Sequence, residues 1–384
     1  MKPKLRPMYR KIVVASDSFK GSLTSLEVAD NVERAVHEDY PSCEVVKVNV
    51  ADGGEGTMDA LQQTLGGTKV TIAVSDPLGR PVQASYVILD DGVTAVLEMS
   101  AASGLPLLKP EERNPSKTST SGTGELISDA LDRGCRKFLV GIGGSATNDA
   151  GMGMLHALGY RFFDASGTEL LAVGGSMIEV VSIDSSSCHP ALADAEFIVA
   201  CDVKAPLYGL EGAAYVFAPQ KGADESMVVA LDNGLRHFAS VCAESMGYDY
   251  SMLEGSGAAG GLGYAFRQFL GGRLERGVEM VLDAIHFDQI ISGSDLVVTG
   301  EGRVDSQTLT GKTPYGVSQH AMRQGIPVIA IGGSVAIDQA QAQQAGFKDA
   351  LQVTPAGMPL EEAMKPQVAA ENVYKTIKRF LKKL

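Results

Sequence analysis

The stretch IVVASDSFKGSLTSLEVADNVERAVHEDYPSCEVVKVNV, residues 12–50, changes its hydrophobic period twice. Ile12 to Ala15 form a short apolar run of strand type, whereas Val28, Val32, Ala35 and Val36 recur at helical spacing. Thr24 with Glu27 three residues on fits a capping box that starts the helix. Pro41 closes it, and Val45 to Val50 read as the next strand. A second helix over Thr57 to Leu65 stops at Gly66-Gly67. Strand, helix, strand, helix in this order requires a parallel sheet with crossover helices.

Beyond residue 66 the pattern differs. Val82 to Leu89 and Val93 to Leu97 flank Asp91-Gly92, a turn pair that predicts a hairpin and antiparallel pairing. Helices are expected at 124–133, 148–158 and 224–246, and strands at 137–142 and 196–201. From about residue 285 the simple alternation returns, with strands at Leu296 to Thr299 and Val328 to Ile331 and a basic amphipathic helix from 368. The expected architecture is therefore α/β: a doubly wound parallel-sheet domain from residues 1–66 and 285–384, with a second α/β domain of mixed sheet, residues 67–284, inserted in it. A chain of 384 residues exceeds the roughly 250–300 at which single cores stop growing, which also favours two domains and a site in the cleft between them.

Composition removes several function classes. A net charge of -13 opposes nucleic acid as partner, because that affinity comes from clustered Lys and Arg neutralising phosphates. It does not oppose a small anion, since one lysine about 4 Å from a phosphate gains about 4 kcal/mol at an intermediate dielectric. The five cysteines, at 43, 135, 188, 201 and 242, are far apart and lack a C-x-x-C spacing, so neither disulfides nor zinc are expected. The apolar run behind the basic N-terminus is too short for a signal peptide, and no run reaches membrane length, so a cytoplasmic location is expected.

Ligands of open parallel sheets bind beyond the carboxyl ends of the strands. Four strands here run into carboxylates: Asp17, Asp52 with Glu55, Asp202, and Glu301 with Asp305. Each alone reads equally well as a helix cap or a turn residue. Together they suit Mg²⁺, which takes one or two carboxylates along with phosphate oxygens and waters, and they offer a proton acceptor as well. Lys20-Gly21, Lys221-Gly222 and Gly311-Lys312 place cations beside flexible backbone, where phosphates are held. A Walker A loop is excluded at the last, because Ser306 stands where its first glycine belongs and Pro314 follows. Glycine clusters at Gly141 to Asp149 and Gly255 to Gly263 read as phosphate cradles or as close helix packing. The second contains a G-x-G-x-x-G that no convincing strand precedes.

These loops form a set. Ala15-Ser-Asp-Ser-Phe-Lys-Gly-Ser22, Ala51-Asp-Gly-Gly-Glu-Gly-Thr57, Asp76-Pro-Leu-Gly-Arg-Pro81, Gly141 to Asp149, Cys201-Asp-Val203, Pro219-Gln-Lys-Gly-Ala223, Gly257 to Gly261 and Thr299-Gly-Glu-Gly-Arg303 with Asp305, Gln307 and Thr308 resemble the signatures of bacterial glycerate kinases. The resemblance covers about residues 11 to 355. It implies two α/β domains, one inserted in the other, and transfer of phosphate from ATP with Mg²⁺ to D-glycerate, yielding 2-phosphoglycerate. Ser16 stands where the family has proline, and Ala205 where it has asparagine.

On that basis Asp202 is expected to accept the proton of the attacking hydroxyl, with Lys20 and Lys312 stabilising the transferring oxygens. Arg303, or else Arg80, would grip the glycerate carboxylate, alongside Asp17 and Ser18. Lys221, Gly143, Gly144, Ser145, Gly257, Gly260 and Gly261 would hold nucleotide phosphates, and Asp52, Glu55, Glu301 and Asp305 would place Mg²⁺. Other readings stay open: a kinase of another small hydroxy acid, an NAD-dependent dehydrogenase using the Gly255–Gly260 stretch, or a ligand-binding regulator without turnover. A homodimer stays open as the assembly, while neither nucleic acid nor a membrane is expected as partner.

Overall fold

The computed structural model describes residues 9–54 and 56–383. Its strands, in chain order, are β1 (Lys11–Ser16), β2 (Glu44–Asn49), β3 (Thr68–Ser75), β4 (Pro81–Ile88), β5 (Thr94–Glu98), β6 (Lys137–Gly141) and β7 (Arg161–Phe163). They continue as β8 (Ser182–Asp184), β9 (Glu196–Ala200), β10 (Arg273–Glu275), β11 (Leu296–Val304), β12 (Val328–Val335) and β13 (Phe347–Gln352). The chain divides into two compact units, one of residues up to Asp52 and from Val281 on, the other from Gly53 to Met280.

In the first unit five strands pair in the order β13-β12-β11-β1-β2, all parallel. The crossover from β1 to β2 is the helix Ser25–Asp39. It starts where expected, because Thr24 accepts from the Glu27 amide while the Glu27 carboxylate accepts from the Thr24 amide at 2.8 Å, so two of the helix's orphan donors are satisfied. Val28, Val32 and Val36 are buried on its inner face, each stabilising by roughly 1.5–3 kcal/mol relative to exposure. They join Ile12, Val14, Val298, Ile329 and Ile331 of the sheet and Val373, Ile377 and Phe380 of the C-terminal helix Pro366–Lys383 in one core.

β11 departs from expectation. It continues to Val304 instead of ending at Thr299, because Gly300, Glu301 and Arg303 keep pairing with Ile331, Gly332 and Ser334 of β12. Gly300 is therefore no turn residue. A Cβ there would lie 2.4 Å from the Ile331 carbonyl oxygen, so glycine permits the close approach of the two strands.

The second unit holds a six-stranded mixed sheet, β10-β9-β6-β5-β4-β3, in which β3, β4 and β5 pair antiparallel and the rest parallel. The hairpin turn between β4 and β5 is the expected Asp91-Gly92, with Gly92 at φ 72° and the Asp91 carboxylate accepting from the Val93 and Thr94 amides. β3 was not foreseen, although Val70, Ile72 and Val74 turn toward the core while Lys69, Thr71 and Ala73 are exposed, so a period-2 signal is present in this edge strand. The expected boundary near residue 67 also moves. The helix Thr57–Leu65 packs on β4 and β5, and its Met58 amide donates to Glu98 at 3.0 Å, so it belongs with the second unit and the division falls at Asp52/Gly53.

The helix expected at 148–158 is shorter, Met152–Ala157. Ala150 and Gly151 are at φ 50° and 72°, and the Asp149 carboxylate takes the Gly151 and Gly153 amides as a cap. The helix expected at 224–246 forms as Glu225–Met246 behind an Asp224 cap.

Candidate active site

Within the first unit the carboxyl ends of the parallel strands open into a cavity of about 560 Å³. β1 delivers Asp17, Ser18 and Lys20 to its wall, the segment after β2 delivers Asp52, and β11 with the loop behind it delivers Glu301, Arg303, Asp305 and Lys312. Eight of the residues singled out from the sequence thus line one space. Glu55 lies outside the described residues.

The polar groups there are tightly organised. Glu301 is buried; its carboxylate accepts from the Thr308 hydroxyl at 2.5 Å and faces the Lys312 ammonium at 3.2 Å. The Asp305 amide donates to the Thr308 hydroxyl at 2.9 Å, so Thr308 ties the loop to the strand. Arg303 reaches Asp305 through Nε at 3.2 Å while staying two-thirds exposed, which leaves most of its guanidinium fork open. Lys312 is the N-cap of the helix Thr313–Arg323, with Pro314 in its first turn, and its carbonyl accepts from the Tyr315 and Gly316 amides at 3.0 and 3.1 Å.

Asp17 accepts from the Ser18 amide at 2.6 Å. Burial, and then the neighbouring Asp52 carboxylate, push its carboxyl up to about 6, against the opposing pull of Lys20. Carboxylates crowded to this degree favour a cation among them. Hard oxygen donors of this kind fit Mg²⁺. Among the described residues no three His, Cys, Asp or Glu side chains are grouped so as to hold a metal ion.

The other expected site residues belong to the second unit. Asp202 follows β9, is exposed, and accepts the Gly277 amide at 3.2 Å. Arg80 is engaged by two carboxylates, Asp76 at 2.6 Å and Glu112 at 2.6 Å, in the turn between β3 and β4. Lys221 is 2% exposed, and its ammonium donates to Ser145 Oγ at 2.6 Å and to the Thr147 carbonyl at 2.7 Å. Burial lowers its pKa to about 7. It holds the Gly143-Gly144 loop from beneath, whereas Gly143 and Gly144 are exposed, with nothing within 4 Å of a Cβ placed on Gly143.

Gly257, Gly260 and Gly261 meet protein instead. A Cβ on Gly257 would lie 2.2 Å from the Pro206 carbonyl oxygen, on Gly260 2.0 Å from that of Thr147, and on Gly261 2.7 Å from Ala150 Cα. Turns, not a strand, precede them. The dinucleotide reading of this stretch is thereby removed, and the glycines serve close packing of the two clusters. Ala205 contributes its carbonyl to the Gly257 amide at 2.9 Å.

Sequence reasoning gave no role to Thr308 and missed the apolar part of the cavity, Phe19, Met358, Leu360 and Met364. Thr308 stood within a recognised motif. The others carry no local pattern.

A model of the glycerate kinase family matches residues 12–384. A glycerate kinase of Bacillus subtilis (strain 168) is 46% identical over 366 residues, 95% of each chain. A glycerate 2-kinase of Escherichia coli (strain K12) is 45% identical over 355 residues, 92% of this chain and 93% of that one. A solved structure from Salmonella typhimurium LT2, assigned to glycerate kinase 2, superposes with a TM-score of 0.88 at 43% identity and covers 98% of both chains.

Proposed function

The chain belongs to the glycerate kinase family, and from that premise we propose how its own residues phosphorylate glycerate from ATP. The observation that carries the reading is the cavity of the first unit, where Lys20, Arg303 and Lys312 share a wall with Asp17, Asp52, Glu301 and Asp305. Phosphoryl transfer asks mainly for positioning and for charge aimed at the transferring oxygens, and such a lining supplies both.

Lys312 and Lys20 hold the transferring phosphoryl oxygens, Lys312 from the N-cap of the helix Thr313–Arg323. Asp52, together with Glu301 or Asp305, would hold Mg²⁺, with Glu55 as a further candidate; the ion, when bound, neutralises charge on the phosphate chain. Thr308 and Lys312 keep the Glu301 carboxylate oriented for that role. Arg303 takes the carboxylate of D-glycerate bidentately, for which its exposed fork is free to turn from Asp305. Asp17 and Ser18 orient the acid's hydroxyls. The exposed Gly143-Gly144, next to Ser145 that Lys221 braces, offers amides to phosphate oxygens. Asp202 accepts the hydroxyl proton, and the 2-hydroxyl is the one phosphorylated. The setting is cytoplasmic, where ATP is at hand.

Turnover with ATP and D-glycerate, followed by phosphorus NMR of the product, tests the assignment. The expected product is 2-phosphoglycerate, and a 3-phosphate would overturn the regiochemistry. Asp202→Asn is expected to lower kcat by about a hundredfold or more; turnover within threefold of the unaltered protein sinks Asp202 as proton acceptor.

A further inference from the structure

The cavity of the first unit has two chemistries. Its charged residues, at the ends of β1 and β11, answer to phosphates and carboxylates, but its lining also holds Phe19, Met358, Leu360 and Met364. A three-carbon polyhydroxy acid has no apolar surface to lay against such side chains. The volume, about 560 Å³, also lies in the range of roughly 300–1,000 Å³ that suits much larger ligands.

We propose that this apolar part of the cavity wall is the seat of the purine ring of ATP, with the triphosphate running from it to Lys20 and Lys312. The inference rests on the glycerate kinase reading, which supplies two substrates, of which only ATP has a flat apolar part. Leu360 is 74% exposed and Met364 38% exposed, so apolar side chains stand in water at the rim of a charged cavity until a ligand covers them. Two of the four wall residues are methionines, whose flexible, polarisable thioethers adapt to an aromatic face. The same space presents polar groups for a ring edge, Thr354, Gln352 and Asn372. Asn372 donates to the Met358 thioether at 3.6 Å, a weak acceptor that a ring nitrogen readily replaces.

The chain contains no tryptophan, so Leu360→Trp places a single indole at the rim. Titration of this variant with ADP is expected to change the indole emission saturably, with a midpoint equal to the inhibition constant of ADP in turnover, while D-glycerate alone leaves the emission unchanged. Met364→Glu is expected to raise the KM for ATP by about tenfold, with the KM for D-glycerate unmoved. ADP that inhibits without altering the emission overturns the proposal. So does a Met364→Glu variant whose glycerate KM rises instead, or an emission that changes with protein concentration alone, which would mean that a second copy covers the wall. Failure of the unaltered protein to turn over ATP with D-glycerate would count against the kinase reading, and the ADP titration of Leu360→Trp would still decide the purine seat.

Discussion

Asp17 is a carboxyl whose environment opposes its charge. Its pKa is raised from 3.8 to about 6 by burial and by Asp52, so the folded protein favours the neutral form. Below pH 3.8 the group is protonated in both the folded and the unfolded chain and costs nothing; between there and about 6 the penalty grows, and above that range it is complete. A shift of about two units corresponds to about 3 kcal/mol, and partial solvent contact reduces this to about 1–3 kcal/mol. Asp17→Asn keeps the acceptor for the Ser18 amide and is expected to stabilise the protein at pH 7.5, a gain that vanishes by pH 4, while activity falls. Thermal unfolding at the two pH values measures it; equal changes at both would refute the account. Stability yielded to function in this way marks binding sites. The sequence located Asp17 at a strand end, but its repulsion by Asp52 depends on the pairing of β1 with β2. Lys221 teaches the converse. Its Lys-Gly context resembled a phosphate contact, and only burial reveals an ammonium held by Ser145 and Thr147.

The glycine-rich loops divide into two kinds once their neighbours are known. Gly260 is at φ 71°, and an added Cβ would meet the Thr147 carbonyl oxygen at 2.0 Å, so Gly260→Ala is expected to cost about 2–4 kcal/mol. Gly143 has open space around it, and Gly143→Ala should cost under about 1 kcal/mol while raising the KM for ATP if the loop cradles phosphate. Urea unfolding of both variants with steady-state kinetics separates these effects, and a Gly260→Ala protein of unaltered stability would refute the packing role. Helix starts were legible because caps are local, as at Thr24 with Glu27 and at Asp224. The end of β11 was not, because Gly300 and Gly302 look like turn residues until β12 is seen to pair alongside them.

Each unit has its own core. That of the second centres on residues such as Phe138, Phe197, Leu235, Phe238 and Phe266, all within the unbroken stretch from Gly53 to Met280. Residues 53–280 expressed alone are therefore expected to fold and to melt in one cooperative transition followed by circular dichroism. A broad, non-cooperative melt would show that this core is insufficient.

From the sequence by itself came the α/β alternation, the hairpin at Asp91-Gly92, the interruption of one domain by another and the family. Periodicity, caps and turn residues are written in neighbouring positions, and so they can be read without coordinates. The tertiary structure alone decided that the helix Thr57–Leu65 joins the second unit, that Arg80 is held by Asp76 and Glu112, and that Glu301 faces Lys312 at 3.2 Å beside a wall of Met358, Leu360 and Met364. Those relations join residues far apart in the chain, and their burial and charge exist only after the strands have paired.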